Sequence, residues 1–468
     1  FDGVAMLLNR HAFNHVFYNR ELDDEQTQTY LNDLASIRWD KFTDNFLMMY
    51  CRSNMDWFSE EDWGPDGWVL HNVRLCGKAT KAGRCVGIFF DTESFWGRRP
   101  WWYAKQPGAD QRSFAEFQAM VRKRGAQFMD ALQDEHPDLV FLMPYMLSNP
   151  NTYTQVRNEP DRAKHSDLLK DGDEGLWPAF VNGMLVAVRG KTAIIDGHLR
   201  SYYHQELADY TQGVRRIREG AQGTDRLIDS DIWHKYQHHV RAAHGIYADF
   251  YCNMLPLRLR SSNMTDDERA RWLEHNVYYS LKTSDKYAWY YNEYMNWWED
   301  RHVPPYMEGA IRSAKRKLAA GQPLGFENDA PSRGWRDLLI QREATIEPKT
   351  AGIPRVTGDA PTIDGQLDDD AWKRAAELGP FVAYVEAPIY ELSAVHMGDT
   401  QWTVEIAIPW HALDRVPAKP GTQLAANVAH MRFREWGGKK PQYSTWSKYK
   451  GAEAKPSYVR VEPERLGV

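Results

Sequence analysis

The chain has 468 residues, 43% of them hydrophobic, which is material for a large core and, at ordinary domain sizes, for two or three domains. Its formal net charge is -6, from 58 basic and 64 acidic residues, so no global basic field draws it to nucleic acid or anionic lipid. No apolar run approaches the ~20 residues that span a bilayer, and the four cysteines (Cys51, Cys76, Cys85, Cys252) lack the spacing of a zinc module or a disulfide scaffold.

The chain opens at Phe1 with no initiator Met and no signal sequence, which reads as a processed chain. From there to residue 321 one theme recurs: a short apolar run, a polar-aromatic patch, then an amphipathic segment. The runs are Gly3 to Leu8, Asn45 to Tyr50, Val86 to Phe90, Leu139 to Met143, Thr192 to Ile195, Gly245 to Phe250 and Tyr287 to Tyr291, giving seven candidate strands. Two intervening helices carry capping boxes, Ser113-x-x-Glu116 and Thr265-x-x-Glu268. Strands alternating with helices imply a parallel sheet, and this many units predict a TIM-type (β/α)8 barrel over 1–321. No G-x-G-x-x-G or P-loop follows any run, which argues against an open nucleotide-binding sheet.

Residues 322–352 are polar and turn-rich and read as a linker or a strap on the barrel. From 353 to 468 the segments are short, β-like and broken by Pro and Gly, which predicts an all-β sandwich domain. Val404, Ile406 and Ile408 alternate as one buried strand face that Pro409 ends, because proline has no N–H to donate.

The stretch Ala360-Pro361-Thr362-Ile363-Asp364-Gly365-Gln366-Leu367-Asp368-Asp369-Asp370-Ala371-Trp372 resembles the entry strand of family 9 carbohydrate-binding modules. So do Trp402 to Trp410, Asn427 to Arg434 and Tyr443-Ser444-Thr445-Trp446-Ser447, in the same order. The resemblance covers 353–468 in shortened form, since only about twenty residues stand between Phe381 and Gln401 where the family has several more strands. It implies a polysaccharide or oligosaccharide partner and a secreted, periplasmic or cell-surface location of bacterial type. The acidic run Asp368 to Asp370 offers oxygen ligands for a structural calcium, although a solvated turn opening a helix accounts for it more simply. No other cofactor is required.

Parallel barrels carry their chemistry at the C-terminal ends of the strands. The third run ends in Asp91-Thr92-Glu93, two carboxylates at i and i+2 that share one side and repel each other, which raises one of them toward the range of a general acid. A salt bridge to Arg98 or Arg99 is the competing account. The last run passes into Asn292-Glu293 among Trp289, Tyr291 and Trp297, an aromatic setting that shields a carboxylate from water. Asn292-Glu293 is similar to the Asn-Glu pair of many barrel glycosidases, where the Asn holds the sugar 2-hydroxyl. Further rim candidates for binding sugar are Asn9 and His11, Tyr145, Asp196 and His198, and Asp249 and Tyr251.

The N-terminal region therefore looks like a TIM-barrel glycoside hydrolase of unassigned family. Hydrolysis of a glycosidic bond needs two flanking carboxylates, and Glu93 as acid with Glu293 as nucleophile meets that need. Two alternatives stay open: a non-catalytic carbohydrate-binding protein, and a substrate-assisted hexosaminidase-type enzyme in which Asp91-x-Glu93 acts as in family 18 chitinases. His234-x-x-x-His238-His239 has a metal-like spacing but lacks the Glu of H-E-x-x-H, so no metal site is expected there. No G-x-S-x-G elbow supports serine hydrolase chemistry.

Overall fold

Every one of the seven apolar runs contains a strand. The computed structural model describes residues 1–334 apart from 9–10, 20–23, 94–96, 149–150, 221–226 and 256–259, and beyond them residue 337 and a set of short strands. Its strands are β1 (Ala5–Met6), β2 (Phe46–Tyr50), β3 (Gly87–Asp91), β4 (Val140–Met143), β5 (Ala193–Asp196), β6 (Val240–Ala242), β7 (His244–Tyr247) and β8 (Ala288–Tyr291). β1 to β6 pair side by side in chain order, each pair parallel, and β7 pairs parallel with β8. Only Ala243 separates β6 from β7, so one stretch of chain takes β5 as its neighbour at the start and β8 at the end.

Helices fill the connections, and both capping boxes form: Ser113 with Glu116 opens Phe114–Glu135, and Thr265 with Glu268 opens Asp266–Thr283. The runs are apolar throughout because both faces of the strands are covered. In β3, Ile88 and Phe90 point into the main core shared with the helices, whereas Phe89 joins an interior cluster with Phe46, Leu142, Ile195 and Ala243. Tyr287 and Trp289 pack on that interior cluster, Tyr287 against Phe46 and Trp289 against Phe89, each at 5.4 Å between ring centroids. The last strand thus meets the second and third across the inside, so the sheet curls round. The architecture is α/β with a mostly parallel, curled sheet.

One expected strand differs from its run. Residues 248 to 251 form a short helix, Ala248–Tyr251, which places Asp249 and Tyr251 on a helical turn just after β7. A separate core cluster, with Trp272, Leu273 and Met307, lies beneath this region, and Leu324 and Ala330 are buried in it. The first compact unit accordingly runs past residue 321, to Pro331. The helix Trp233–His239 exposes His234 and His238 and buries His239, whose Nδ1 lies 2.8 Å from the Thr192 carbonyl. All four cysteines are buried and unbridged.

In the second unit, Ser332–Val468, the described residues beyond Asp337 lie in strands. Leu392–Met397 pairs antiparallel with Trp402–Ala407, Ala429–Arg432 with Gln442–Thr445, and Leu424–Ala426 with Val459–Glu462, which pairs parallel with Thr350–Gly352 on its other side. The Ala360 to Trp372 motif, the acidic run Asp368 to Asp370, and Ile408 with Pro409 lie outside the described residues.

The interior leaves no room at Gly245 in β7. A Cβ there would stand 2.6 Å from Trp289 Cζ2 and 2.7 Å from Tyr202 Cε1, so both rings must move to accept it. Gly245→Ala is expected to cost about 1–3 kcal/mol as an overpacked site, measured by urea denaturation; a variant as stable as the parent contradicts this packing.

Candidate active site

Three carboxylates gather where β3 and β4 end. Asp91 closes β3, and its Oδ1 accepts the Glu93 N–H at 3.0 Å, which turns the loop and brings the two acidic side chains together. Burial pushes Asp91 up to about 6, against the opposing effect of the Glu93 N–H. Burial, and then the negative charge of Asp91, push Glu93 up to about 7. No Lys or Arg among the described residues forms an ion pair with either: Arg98 Nη1 donates to the Met55 carbonyl, and Arg99 pairs with Asp173 at 4.0 Å. The salt-bridge account of Asp91 and Glu93 is therefore not realised.

The third carboxylate, Glu174, was not visible in the sequence. It stands in the long connection after β4, and its Oε1 accepts the Tyr145 hydroxyl at 2.9 Å. Burial pushes it up to about 7, with Asp173 and Glu93 adding to the rise and the Tyr145 bond opposing it. Asp173-Glu174-Gly175 carries no such signal because it follows no strand and resembles an ordinary acidic lead-in to the helix Trp177–Ala187.

Aromatic rings form the opposite side. Tyr202 lies 5.1 Å from Tyr247 and 5.3 Å from Trp289, and its ring is nearly parallel to Tyr291 at 6.4 Å. Trp289 Nε1 donates to the Gly197 carbonyl at 2.8 Å, tying β8 to the end of β5. Glu293 accepts the Tyr247 and Tyr291 hydroxyls at 3.1 and 3.2 Å. The phenol of Tyr291 is raised by burial, by Glu293, and by both Asp91 and Glu93, so it lies within electrostatic reach of the two carboxylate groups. Tyr50, at the end of β2, is likewise raised by burial and by Asp91.

The other expected rim residues divide. Asp249 is buried and fixes the Glu293 loop, accepting the N–H groups of Glu293 and Tyr294 on Oδ2. Tyr251 is buried and donates to the Tyr202 carbonyl at 2.9 Å, which holds the aromatic wall from behind. Asn292 spends its amide on the Met295 carbonyl at 2.7 Å, inside its own loop. Trp297 donates its indole N–H to the Tyr290 hydroxyl at 3.2 Å, packs edge-on against Phe1, and lines one pocket together with Asn292 and Glu293. Asn9 is outside the described residues, and His11 begins the helix His11–Asn14.

Asp196 and His198 serve the scaffold. Fully buried Asp196 accepts the N–H groups of Leu147, Ser148 and His198 at 3.1 Å each and the Ser148 hydroxyl at 2.8 Å, so it shapes the loop after β4. His198 lies 3.1 Å from the Ser148 hydroxyl through Nδ1 and gathers with His204 and His244, ring centroids 5.3 to 6.0 Å apart. Burial lowers all three, His204 to about 4 and His244 to about 3. Among the described residues no group of three or more His, Cys, Asp or Glu is arranged to hold a metal ion, and no helix is long and apolar enough to cross a membrane. No protein-family model, no curated protein and no solved structure matches the chain.

The histidine trio sets an acid limit. Unfolded imidazoles protonate near pH 6.5, and the folded ones resist until about 4 and below, so their contribution to stability is present above pH 6.5 and is lost as the pH falls through that window. His204→Gln is expected to lessen the loss of urea stability between pH 7.5 and 5.0 relative to the parent chain; an unchanged loss refutes the assignment.

Proposed function

We propose that the chain is a glycoside hydrolase built on a TIM-type (β/α)8 barrel, with a C-terminal β-sandwich related to family 9 carbohydrate-binding modules, and that it acts on a polysaccharide or oligosaccharide. Strand order that follows chain order without reversal, and contact between the last strand and the second and third, favour a barrel over a doubly wound sheet. The observation that carries the functional reading is Glu93: a carboxyl raised to about 7, without a cationic partner among the described residues, within electrostatic reach of the Tyr202 and Tyr291 phenols. Such a group is still protonated near neutral pH, as a general acid must be. Flat aromatic faces with hydroxyl edges suit sugar rings.

In this reading Glu93 gives its proton to the glycosidic oxygen as the C1–O bond breaks, and the bonding electrons leave on that oxygen. Glu293, oriented by the Tyr247 and Tyr291 hydroxyls, forms the new bond to C1. The Glu93 carboxylate then takes a proton from water, the resulting hydroxide displaces Glu293 from C1, and both groups return to their starting states. Asp91 keeps Glu93 protonated through its charge and shapes the turn through its bond to the Glu93 N–H. No metal or organic cofactor enters these steps.

Glu93→Gln and Glu293→Gln are each expected to lower kcat by about 10²-fold or more on a cleavable polysaccharide, read as reducing ends released, with the fold checked by circular dichroism. Because the acid must carry its proton, kcat/KM should fall as the pH rises above about 7. Turnover that survives both substitutions overturns the assignment. Binding without cleavage across a panel of polysaccharides supports a non-catalytic sugar-binding protein instead.

A further inference from the structure

The segment after β8 holds a tryptophan in water on a fixed turn. Asn296 and Arg301 exchange backbone hydrogen bonds at 2.9 and 3.0 Å, closing an antiparallel turn over 297–300. The Asn296 side chain tightens it from within: its Oδ1 accepts the N–H groups of Trp298 at 3.0 Å and Glu299 at 3.2 Å, the local bonding that suits Asn to turns. Asp300 takes the left-handed backbone, φ 50°, which Asp tolerates better than most side chains. Trp297 fastens the turn to the body of the protein through the Tyr290 hydroxyl and the Phe1 ring, and Met295 ahead of it is buried.

Trp298 then projects away. It is 78% exposed, and it is the one exposed tryptophan among the described residues. Phe42, ahead of β2, meets its ring nearly at right angles at 6.2 Å. Most of the indole therefore faces water, which forgoes the free energy that burying so large a ring would return. The turn bonds already order the backbone beneath it, so a ligand covering the ring would lose little entropy in fixing it.

The ring borders a pocket of about 610 Å³ that runs back to the candidate site, with Glu293, Tyr294, Asn296, Trp298, Arg301 and His302 in its lining. That size falls among small-ligand sites, roughly 300–1,000 Å³. An aromatic face beside a carboxylate, an amide and a guanidinium suits a sugar, whose C–H face packs on a ring while its hydroxyls bond to polar groups. A protein partner would need about 800 Å² on this side, several times what one indole offers.

We infer that Trp298 is a stacking platform for a sugar ring of the bound chain, in a subsite that shares its pocket with Glu293. The inference rests on the carbohydrate reading above and extends it: the substrate reaches past the cleaved bond to this turn, and is a polysaccharide or longer oligosaccharide rather than a disaccharide.

The test is native electrophoresis of the intact chain through gels holding soluble xylan, mixed-linkage β-glucan, galactomannan or polygalacturonate, with cleavage of the same polymers read separately as reducing ends. At least one polymer should retard the parent chain, and Trp298→Ala should raise the apparent dissociation constant for it by at least about fivefold. Trp298→Tyr, which keeps a flat ring, should regain part of that affinity, and Trp298→Leu, apolar but not flat, should not. The urea midpoint, which a change at so exposed a side chain should leave in place, checks that each variant folds. Trp298→Ala bound as tightly as the parent, Trp298→Leu bound as well as Trp298→Tyr, or a parent that no polymer retards overturns the platform, and cleavage that persists beside such a result leaves the hydrolase reading standing. Retardation that Trp298→Ala loses, in a parent that cleaves none of the polymers, upholds the platform and overturns the hydrolase reading.

Discussion

Everything at the candidate site depends on where Trp289 is held. Its ring fills the interior against Phe89 of β3, Tyr202 and Gly245, and its indole nitrogen is fixed to the Gly197 carbonyl beyond β5. A single side chain of β8 thus touches the third and seventh strands and the segment that follows the fifth. Burying so large a ring is worth several kcal/mol, and glycine at 245 is what makes its position accessible. With Trp289 so placed, Tyr291 follows two residues later on the same face and meets Tyr202 and Tyr247, and Glu293 accepts the hydroxyls of Tyr247 and Tyr291.

The carboxylate side of the candidate site is governed by what is missing from its charge balance. Asp91, Glu93 and Glu174 are withdrawn from water, and no Lys or Arg among the described residues pairs with them. Burial of that kind disfavours ionisation and is tolerated because protons replace counter-charges. Structural carboxylates in the same chain look different: Asp196 is buried more deeply but receives four hydrogen bonds, three from backbone N–H groups and one from Ser148. The contrast separates a carboxylate that builds a loop from carboxyls available for proton transfer.

Much of the frame was legible in the sequence because its signals are local. Each of the seven apolar runs contains a strand, since strands covered on both faces need no polar alternation, although the run from Gly245 turns helical at Ala248, and two capping boxes open the helices they announce. Asp91 and Glu93 were visible because they end an apolar run, and Tyr291 and Glu293 because they end another. Glu174 was not, since it is held by a tertiary hydrogen bond from Tyr145 that no spacing encodes. The same limit explains Asp196, Asp249 and Tyr251, which share the rim positions of binding residues but turn inward to hold backbone. Trp297 stands within an aromatic cluster in sequence, and its ring packs with Tyr290 and Phe1 while lining a pocket with Glu293.

The division of the first unit's core has a kinetic meaning for heat. One large cluster supports the chain up to Ala242, a second supports Ile246 to Ala330, and the small interior cluster joins them. Glu93 and Glu174 stand on the first body and Glu293 on the second. Loosening at the Ala243 junction would widen the gap between the opposed groups while each body kept its secondary structure. The surroundings of Trp289, which packs on the interior cluster, would then change on heating ahead of the loss of helix signal, with recovery on cooling governed by re-docking of the two bodies rather than by refolding of either.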